Sequence, residues 1–477
     1  MSSPHQPIGR ARRWPRPPRG PRAGAAAYTV RVPAHSTPPT TRRPARWLLL
    51  TCLAILVALV TATATWQPWN DADGPGGLTG AAPSEGASPT DAPSEGASSP
   101  TETPSPTPAP DAVFTIGAVG DVLPHDTPIR VAHTGGDDYD FTPMLEATRE
   151  WSEGVDLALC NMEVPLSMPG ERPSGYPLFG APMQIVANLA GLGWDGCATA
   201  TNHTIDRGAD NAMYTLDVFD SEGLGHAGSA RSAQEAATPQ YYDLERAGQQ
   251  IRVAQIAATY GTNGLPIPPD QPWLVTLLDA DQLIAQAETA RENGADLVVA
   301  SLHWGLEYQL RQNPEQEALT EKLAASGAID LIIGNHPHVP QPMAKLPGGP
   351  GGDGMWVAYS LGNFISNQDS NCCIPETATG LFMTATVTKP ADGPARVTGM
   401  EWTPMTVDRL GNQRAYPLPG LLEGEAPAAL TLSRATLEDR MARVESIMEN
   451  SAGADFPLLT TPPEPTGEPP VVVPRAG

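Results

Sequence analysis

Short apolar runs alternate with amphipathic segments over residues 112–363, and this pattern predicts an α/β domain. Continuous apolar runs closed by Gly, Asn or Asp are typical of buried parallel strands. The predicted strands span residues 113–119, 156–160, 195–199, 251–257, 296–302, 330–333 and 356–361, and the predicted helices span residues 209–222, 281–293 and 314–326. Strands that alternate with helices predict a mostly parallel or mixed sheet with right-handed crossovers.

The pattern changes towards the C-terminus. Runs at residues 381–388 and 396–402 predict antiparallel additions to the sheet, and apolar residues at helical spacing predict a surface helix over residues 429–449. The Pro-rich end, residues 456–477, is expected to be disordered. We therefore expect a folded domain over residues 112–414, followed by a C-terminal helix and a disordered tail over residues 415–477.

The N-terminal part has a different composition. Residues 47–66 contain no charge and are long enough to cross a bilayer, with Trp47 and Trp66 at the two edges. Ten Arg precede this run, so we expect residues 1–46 to be a disordered cytoplasmic arm and the remainder of the chain to lie outside the cell. A cleaved signal peptide is the alternative. Residues 67–111 are rich in Pro, Ser and Thr and predict a disordered stalk.

The charge of the chain narrows the set of partners. The 431 residues after Arg46 carry 29 − 10 = 19 basic and 53 acidic residues, a formal net charge of −34. This acidic excess argues against nucleic acid as a partner, because phosphate is repelled. Four cysteines, Cys160, Cys197, Cys372 and Cys373, follow the apolar run, and an oxidising exterior permits disulfides whose pairing the spacing leaves open.

Residues of the types that bind metals follow nearly every predicted strand. Ligands bind at the carboxyl ends of parallel strands in open α/β sheets, so residues distant in sequence are expected to converge there. Carboxylate, amide oxygen and imidazole together suit divalent Mn, Zn or Fe, in one or two sites, and a pair of such ions can activate water and hold a phosphoryl oxygen. The predicted metal ligands are Asp121, Asn161, Glu163, Asn202, His303, His336 and His338, with His203 next to Asn202. An imidazole that is not on the metal could act as general acid.

Each of these signals has a structural alternative when taken singly. Asp121 could cap a helix, Asn161 and Glu163 could bond turn amides, and His303 could be a core histidine. His336 and His338 could be incidental residues of a polar loop. Five such blocks on one predicted edge favour a site.

The order of these blocks resembles the bacterial CapA family of poly-γ-glutamate capsule synthesis proteins, which is similar to the calcineurin-like metallophosphoesterases. The matching stretches are Gly120-Asp121, Asn161-Met162-Glu163, residues 201–206, residues 303–308, residues 334–338 and residues 359–364. The resemblance implies a four-layer αββα sandwich. It also implies one metal on Asp121 and His338, a bridge at Glu163 or Asn161, a second metal on Asn202, His303 and His336, and His203 as the acid near the leaving group.

The chain departs from the phosphoesterase pattern at three positions. The usual Asp-x-His block is Asp121-Val122-Leu123 here, so one ligand is missing unless His125 replaces it. Asn161 and Glu163 stand in place of a bridging Asp, and Thr201 stands where the capsule proteins commonly carry Asn. These departures leave a one-metal site open.

The apolar run and the Arg-rich arm predict a cell-membrane protein with one membrane helix, a cytoplasmic N-terminus and an extracytoplasmic domain. The resemblance implies that this domain acts in capsule polymer synthesis or export, through a metal-dependent hydrolase-like site. An anionic envelope polymer or a phosphoester would be its substrate, and membrane subunits of a polymer synthase would be its partners. A non-catalytic assembly subunit and a secreted metallophosphoesterase that acts on small phosphoesters are the alternatives.

Overall fold

The computed structural model describes residues 110–475. Its strands are β1 Ala112–Val122, β2 His133–Gly135, β3 Asp138–Tyr139, β4 Leu157–Met162, β5 Gly196–Ala198, β6 Gly225–Ala227, β7 Gln240–Arg246, β8 Gln249–Thr259, β9 Leu297–His303, β10 Leu331–Asn335, β11 Met343–Leu346, β12 Met355–Ala358, β13 Asn363–Ile365, β14 Thr379–Lys389, β15 Arg396–Asp408, β16 Arg414–Pro417 and β17 Val471–Val473. The α-helices are α1 Asp126–Ala132, α2 Thr142–Leu145, α3 Arg149–Ser152, α4 Gln184–Gly191, α5 Ala209–Ser221, α6 Ala233–Ala236, α7 Ala280–Glu292, α8 Pro314–Ser326, α9 Leu418–Glu423 and α10 Arg434–Met448.

Most strands belong to two sheets. The first sheet has the order β16-β15-β14-β1-β4-β5-β6, with β13 paired to β1, and the second has the order β11-β12-β10-β9-β8-β7-β17. In the first sheet β1, β4, β5 and β6 are parallel, and in the second β8, β9, β10 and β12 are parallel. Each sheet therefore has a group of central strands whose carboxyl ends lie at one edge.

The two sheets pack face to face between two layers of helices. Phe114 and Ile116 of β1 lie in one apolar core with Val253 of β8 and Leu297 of β9. The opposite face of the first sheet packs against α4 and α5, and the opposite face of the second sheet packs against α7 and α8. Because side chains alternate along a strand, β1 supplies residues to both the inner and an outer core. The arrangement is a four-layer αββα sandwich.

The structure confirms the predicted α/β class and most of the predicted elements. Helix α8 has the predicted bounds, since Asn313 caps its N-terminus in a capping box and Gly327 ends it in a left-handed conformation. The strand pattern predicted a mostly parallel or mixed sheet, and the structure divides these strands between two mixed sheets.

The prediction of a disordered C-terminal tail was also wrong for the described residues. Strand β17 pairs antiparallel with β7, and the Arg475 side chain is buried and donates to the carbonyls of His226 and Ser229 at 3.2 and 3.0 Å. The Thr466 N–H donates to Asp156 Oδ1 at 2.7 Å. Tertiary hydrogen bonds thus order a segment that lacks the apolar periodicity of a helix or core strand.

Between residues 110 and 475, no helix combines the length and the apolar character that a membrane crossing requires. The predicted anchor at residues 47–66, the arm before it and nearly all of the stalk lie outside the described residues. Cys160 and Cys197 form a disulfide between the neighbouring strands β4 and β5, and Cys372 and Cys373 form a disulfide within the segment that follows β13.

Candidate metal centre

The carboxyl ends of the parallel strands from both sheets meet at one place. Asp121 lies beside Asn161 of the neighbouring strand and opposite Asn363 of β13. Gly120 makes this approach feasible, because a Cβ there would lie 1.8 Å from the Gly362 carbonyl oxygen. The Asp121 N–H donates to that same oxygen at 2.9 Å, which fixes the carboxylate at the edge of the sheet.

A chain of short contacts joins the first sheet to the second. Asn161 Nδ2 donates to Asp121 Oδ1 at 2.9 Å and lies 3.3 Å from His303 Nδ1. The other ring nitrogen, His303 Nε2, lies 2.7 Å from Asn202 Oδ1. Both ring nitrogens of His303 therefore lie beside polar groups of the predicted site. Four of the predicted ligands are thereby brought together.

Glu163 and His338 lie next to this chain. His338 Nδ1 is 3.0 Å from Asp121 Oδ2 and 3.1 Å from Asn363 Oδ1, and His338 Nε2 is 3.7 Å from Glu163 Oε1. The same Glu163 oxygen is 3.8 Å from His303 Nε2. One oxygen each from Asp121 and Glu163 and one nitrogen of His338 lie within 4.8 Å of one another. These are the donor types of a divalent metal site.

The loop after β10 holds the remaining predicted ligand. The rings of His336 and His303 have centroids 4.9 Å apart, and the ring centroids of His336 and His338 are 5.9 Å apart. His336 and His338 have φ angles of 97° and 60°, in the left-handed region that non-glycine residues rarely adopt. Tyr308 donates its N–H to the Pro337 carbonyl at 2.8 Å, which helps to hold this strained loop. Such strain is concentrated at functional sites.

Buried atoms without hydrogen-bond partners provide the test of whether a cation fits here. Among the residues that the structure describes, such atoms include Asp121 Oδ2, Asn161 Oδ1, both carboxylate oxygens of Glu163, Asn335 Oδ1 and His336 Nδ1. Asp121 Oδ2 is within ion-pair distance of His338, yet no hydrogen bond of good geometry reaches it. Unpaired buried acceptors are destabilising, and a divalent cation would satisfy several of them at once. The residues therefore fit a metal.

The ionisation of the cluster is consistent with the same fit. Burial and the neighbouring Asp121 raise the pKa of Glu163 well above its ordinary value. Burial lowers the pKa of His303 and of His336, and the adjacent imidazoles lower both further. Burial also opposes protonation of His338, but the carboxylates of Glu163 and Asp121 raise its pKa to about 9. Neutral His303 and His336 are in the form that binds metals, whereas His338 must lose a proton first.

His203 lies at the edge of the cluster in a polar and aromatic setting. Its Nδ1 is 2.7 Å from Asp206 Oδ2, and its ring packs edge to face against Phe179 with centroids 4.7 Å apart. The Thr201 hydroxyl accepts from the His203 N–H at 3.0 Å and donates to the Glu163 carbonyl at 2.5 Å. Thr201 therefore ties the turn that carries His203 to the strand end that carries Glu163. A carboxylate on Nδ1 leaves Nε2 as the nitrogen available for proton transfer.

His125 does not join the converging ligand atoms. Its Nδ1 lies 3.0 Å from the Leu123 carbonyl, and its ring packs against Phe179 with centroids 5.1 Å apart. Neither group of potential metal ligands in the described residues includes it. The Asp-x-His position is therefore not replaced by His125 in this arrangement.

Sequence reasoning missed several residues of the site. Glu307 offers a carboxylate oxygen within 4.8 Å of ligand nitrogens of His336 and His338, although its side chain is exposed. Asp206 and Asn363 orient His203 and His338. All three residues stand inside the blocks read from the sequence, but their positions relative to the imidazoles depend on tertiary structure. The segment after β13 also reaches the site, since Gln368 accepts from Asn363 Nδ2 at 3.0 Å.

Comparison with known proteins identifies related sequences. The family model for "Bacterial capsule synthesis protein PGA_cap" matches residues 115–368. Capsule biosynthesis protein CapA of Bacillus anthracis is 27% identical over 265 residues, which are 54% of this chain and 60% of that protein. PGA biosynthesis protein CapA of Bacillus subtilis strain 168 is 30% identical over 174 residues, which are 36% of this chain and 42% of that protein. These matches thus span about half of each relative.

More distant similarities are found among other proteins. A probable polyglutamine synthesis accessory protein of Mycobacterium tuberculosis is 25% identical over 273 residues, which are 55% of this chain and 68% of that protein. Among solved structures, the 5'-nucleotidase precursor from Thermus thermophilus has 12% identity and a TM-score of 0.38, over 70% of this chain and 58% of that one. At this TM-score the structural likeness supports no functional argument.

Proposed function

The chain belongs to the bacterial capsule synthesis protein family, and on this premise we propose that it acts in the synthesis or export of a capsular polymer through a metal-dependent, hydrolase-like site. The observation that carries the proposal is the cluster of buried acceptors without partners, which joins Asp121 and Glu163 to three histidines. Poly-γ-glutamate or a related anionic envelope polymer is the proposed substrate class.

The ligands divide naturally into two groups. Asp121, Glu163 and His338 would hold one cation, and Asn202, His303 and His336 would hold a second, with Glu163 or Asn161 between them. When bound, the cations supply Lewis acidity towards a phosphoryl or carbonyl oxygen of the substrate. The choice between Mn, Zn and Fe is left to measurement, because imidazole and carboxylate suit all three.

His203 is the proposed general acid. Its contact with Asp206 at 2.7 Å fixes the ring in an orientation from which Nε2 can deliver a proton to a leaving oxygen. Phe179 packs against the ring and limits the access of water to it. Asn202 would hold the reacting group beside this acid.

We further propose that the protein is anchored in the cell membrane by residues 47–66, with its N-terminus in the cytoplasm. The apolar run and the preceding Arg residues support this placement. Membrane subunits of a polymer synthase are the proposed partners.

Metal content tests the proposal. The purified chain is expected to retain a transition metal, and the double variant His336→Ala, His338→Ala is expected to lose it. His133→Ala is the matched control, because His133 is an exposed imidazole whose Nε2 lies 3.0 Å from the Gly136 carbonyl oxygen, outside the cluster. Full metal content in the double variant would refute the proposed site.

The second candidate function is a non-catalytic assembly subunit of a polymer synthase. The observation that favours it is the absence of a ligand at the Asp-x-His position, since Leu123 is buried and His125 is bonded to its carbonyl. Turnover of a generic phosphoester with added manganese separates the two candidates. Turnover that disappears in Asn202→Ala excludes a purely structural role, whereas no turnover from metal-loaded wild-type protein favours the assembly subunit.

A further inference from the structure

An apolar pocket of about 380 Å³ lies beside the metal centre. It is bordered by Tyr260, Leu278, Trp304, Leu306 and Leu319, with the first turn of α8 on one side. Its volume equals that of roughly twelve water molecules at about 30 Å³ each, which is enough for one ring or a short chain. Mostly apolar linings of this size are typical of small-molecule sites.

Two residues that border the pocket also contact or adjoin the proposed ligands. The Tyr260 ring packs on the His336 ring with centroids 4.5 Å apart, and the Tyr260 N–H donates to the His303 carbonyl at 3.0 Å. Trp304 directly follows His303, and its indole N–H is satisfied by the Tyr359 carbonyl at 2.9 Å. A molecule bound at the histidines would therefore have this pocket next to it.

The chemistry of the surroundings disfavours an anionic occupant. The residues that border the pocket include Glu315 but neither Lys nor Arg, and Glu307 lies next to Leu306 in sequence. Leu306 and Tyr260 are 56% and 46% exposed, and a cluster of exposed apolar side chains marks a surface that contacts a ligand. An acidic edge around an apolar surface fits an uncharged group and repels the carboxylates of a polyanion.

We infer that the substrate of the metal centre carries an uncharged apolar group, which binds between Tyr260, Trp304 and Leu306 while its polar group binds at the metal. This inference rests on the proposed function and narrows its substrate class to amphiphilic molecules. A polymer chain that enters the site does so with an apolar group attached to the reacting end. An aromatic ring and a short alkyl chain share this chemistry, and the experiment distinguishes them.

Binding of non-hydrolysable phosphonates tests the inference. Manganese-loaded protein is titrated by calorimetry with methylphosphonate, hexylphosphonate and phenylphosphonate. At least one of the larger ligands is expected to bind about tenfold or more tightly than methylphosphonate, because it buries apolar surface in the pocket. Preference for hexyl over phenyl identifies an alkyl occupant, and the reverse preference identifies an aromatic one.

Two leucine variants test whether the pocket causes the difference in phosphonate affinity. Leu306→Ser is expected to reduce the affinity advantage of the larger phosphonate over methylphosphonate about fivefold. Leu410→Ser is the matched control, because Leu410 is 88% exposed and does not border the pocket. Equal binding of all three phosphonates to the metal-loaded protein overturns the inference and leaves the proposed function standing. Failure to retain metal, or to bind any of the phosphonates, overturns the proposed function and the inference with it.

Discussion

Replacing Glu163 by Gln is expected to move the stability of the metal-free protein and of the metal-loaded protein in opposite directions. Asp121, Glu163 and His338 are all buried, and within residues 110–475 the Glu163 carboxylate has no hydrogen-bond partner. With His338 protonated and both carboxylates ionised, the three side chains carry a net charge of −1. In the variant, Asp121 and protonated His338 balance each other, so the buried net charge is zero.

The size of the effect follows from this unpaired charge. A buried carboxylate without a partner is more destabilising than a neutral amide in the same place, so metal-free Glu163→Gln is expected to be more stable than the metal-free wild type by about 1–3 kcal/mol at pH 8. Burial and Asp121 raise the pKa of Glu163 above its ordinary value of 4.5. Ionisation of this buried carboxylate is therefore less favourable in the folded protein than in the unfolded chain, and wild-type stability falls as the pH rises above that value. Glu163→Gln has no carboxylate at this position, so its stability does not fall with pH for this reason.

The cation reverses the order of stability. A ligand that binds only the folded state at about 1,000 times its dissociation constant stabilises it by about 4.1 kcal/mol, which exceeds the variant's advantage, and the variant has lost a carboxylate ligand. Urea unfolding at pH 8, with chelator and then with manganese, measures the effect of the substitution on the free energy of unfolding of the metal-free and of the metal-loaded protein. Glu150→Gln is the control, because Glu150 is exposed and outside the site. A metal-free Glu163→Gln protein that is less stable than wild type, or equal stabilisation of both proteins by manganese, would refute the reasoning.

Three other side chains lead to measurable outcomes. The carboxylates raise the pKa of His338 to about 9, so cation binding must release the proton of this imidazole. The apparent dissociation constant of the cation is therefore expected to fall about tenfold for each pH unit between about pH 7 and 9. A dissociation constant that does not change with pH in calorimetry would contradict this. Asp156→Ala leaves buried Arg246 without its partner at 2.8 Å and is expected to destabilise the protein by about 3–5 kcal/mol in urea unfolding, whereas a loss below about 1 kcal/mol would show that the pair is dispensable. Asp206→Asn is expected to lower kcat at least about tenfold without changing metal content, and an unchanged kcat would remove His203 from the role of acid.

The sequence predicted best those elements whose signals are local. The bounds of α8 follow from an Asn cap, a Pro in the first turn and a Gly at the end, all of which act within a few residues. The tail could not be predicted in this way. Its order comes from pairing with β7 and from the hydrogen bonds of Arg475 to a strand and a loop that are distant in sequence.

In the candidate site, too, the sequence predicted the residues with local signals and not those that depend on tertiary packing. Asp121, His303 and His336 could be chosen from sequence because each follows a strand end, where the topology of parallel strands brings residues together. The division of those strands between two sheets depends on packing and was not readable from periodicity. The proximity of Glu307 to the imidazoles likewise arises from a loop that is fixed by the contact between Tyr308 and Pro337. No local sequence pattern around Glu307 indicated that its carboxylate lies near the imidazoles.

Asp121, Glu163 and His338 are expected to bind one cation together. The most direct measurement is an anomalous difference map from crystals of the protein grown with manganese. A strong peak is expected within coordination distance of both carboxylates and the imidazole, because their ligand atoms lie within 4.8 Å of one another. A map with no peak among these three side chains, at full manganese saturation, would contradict it.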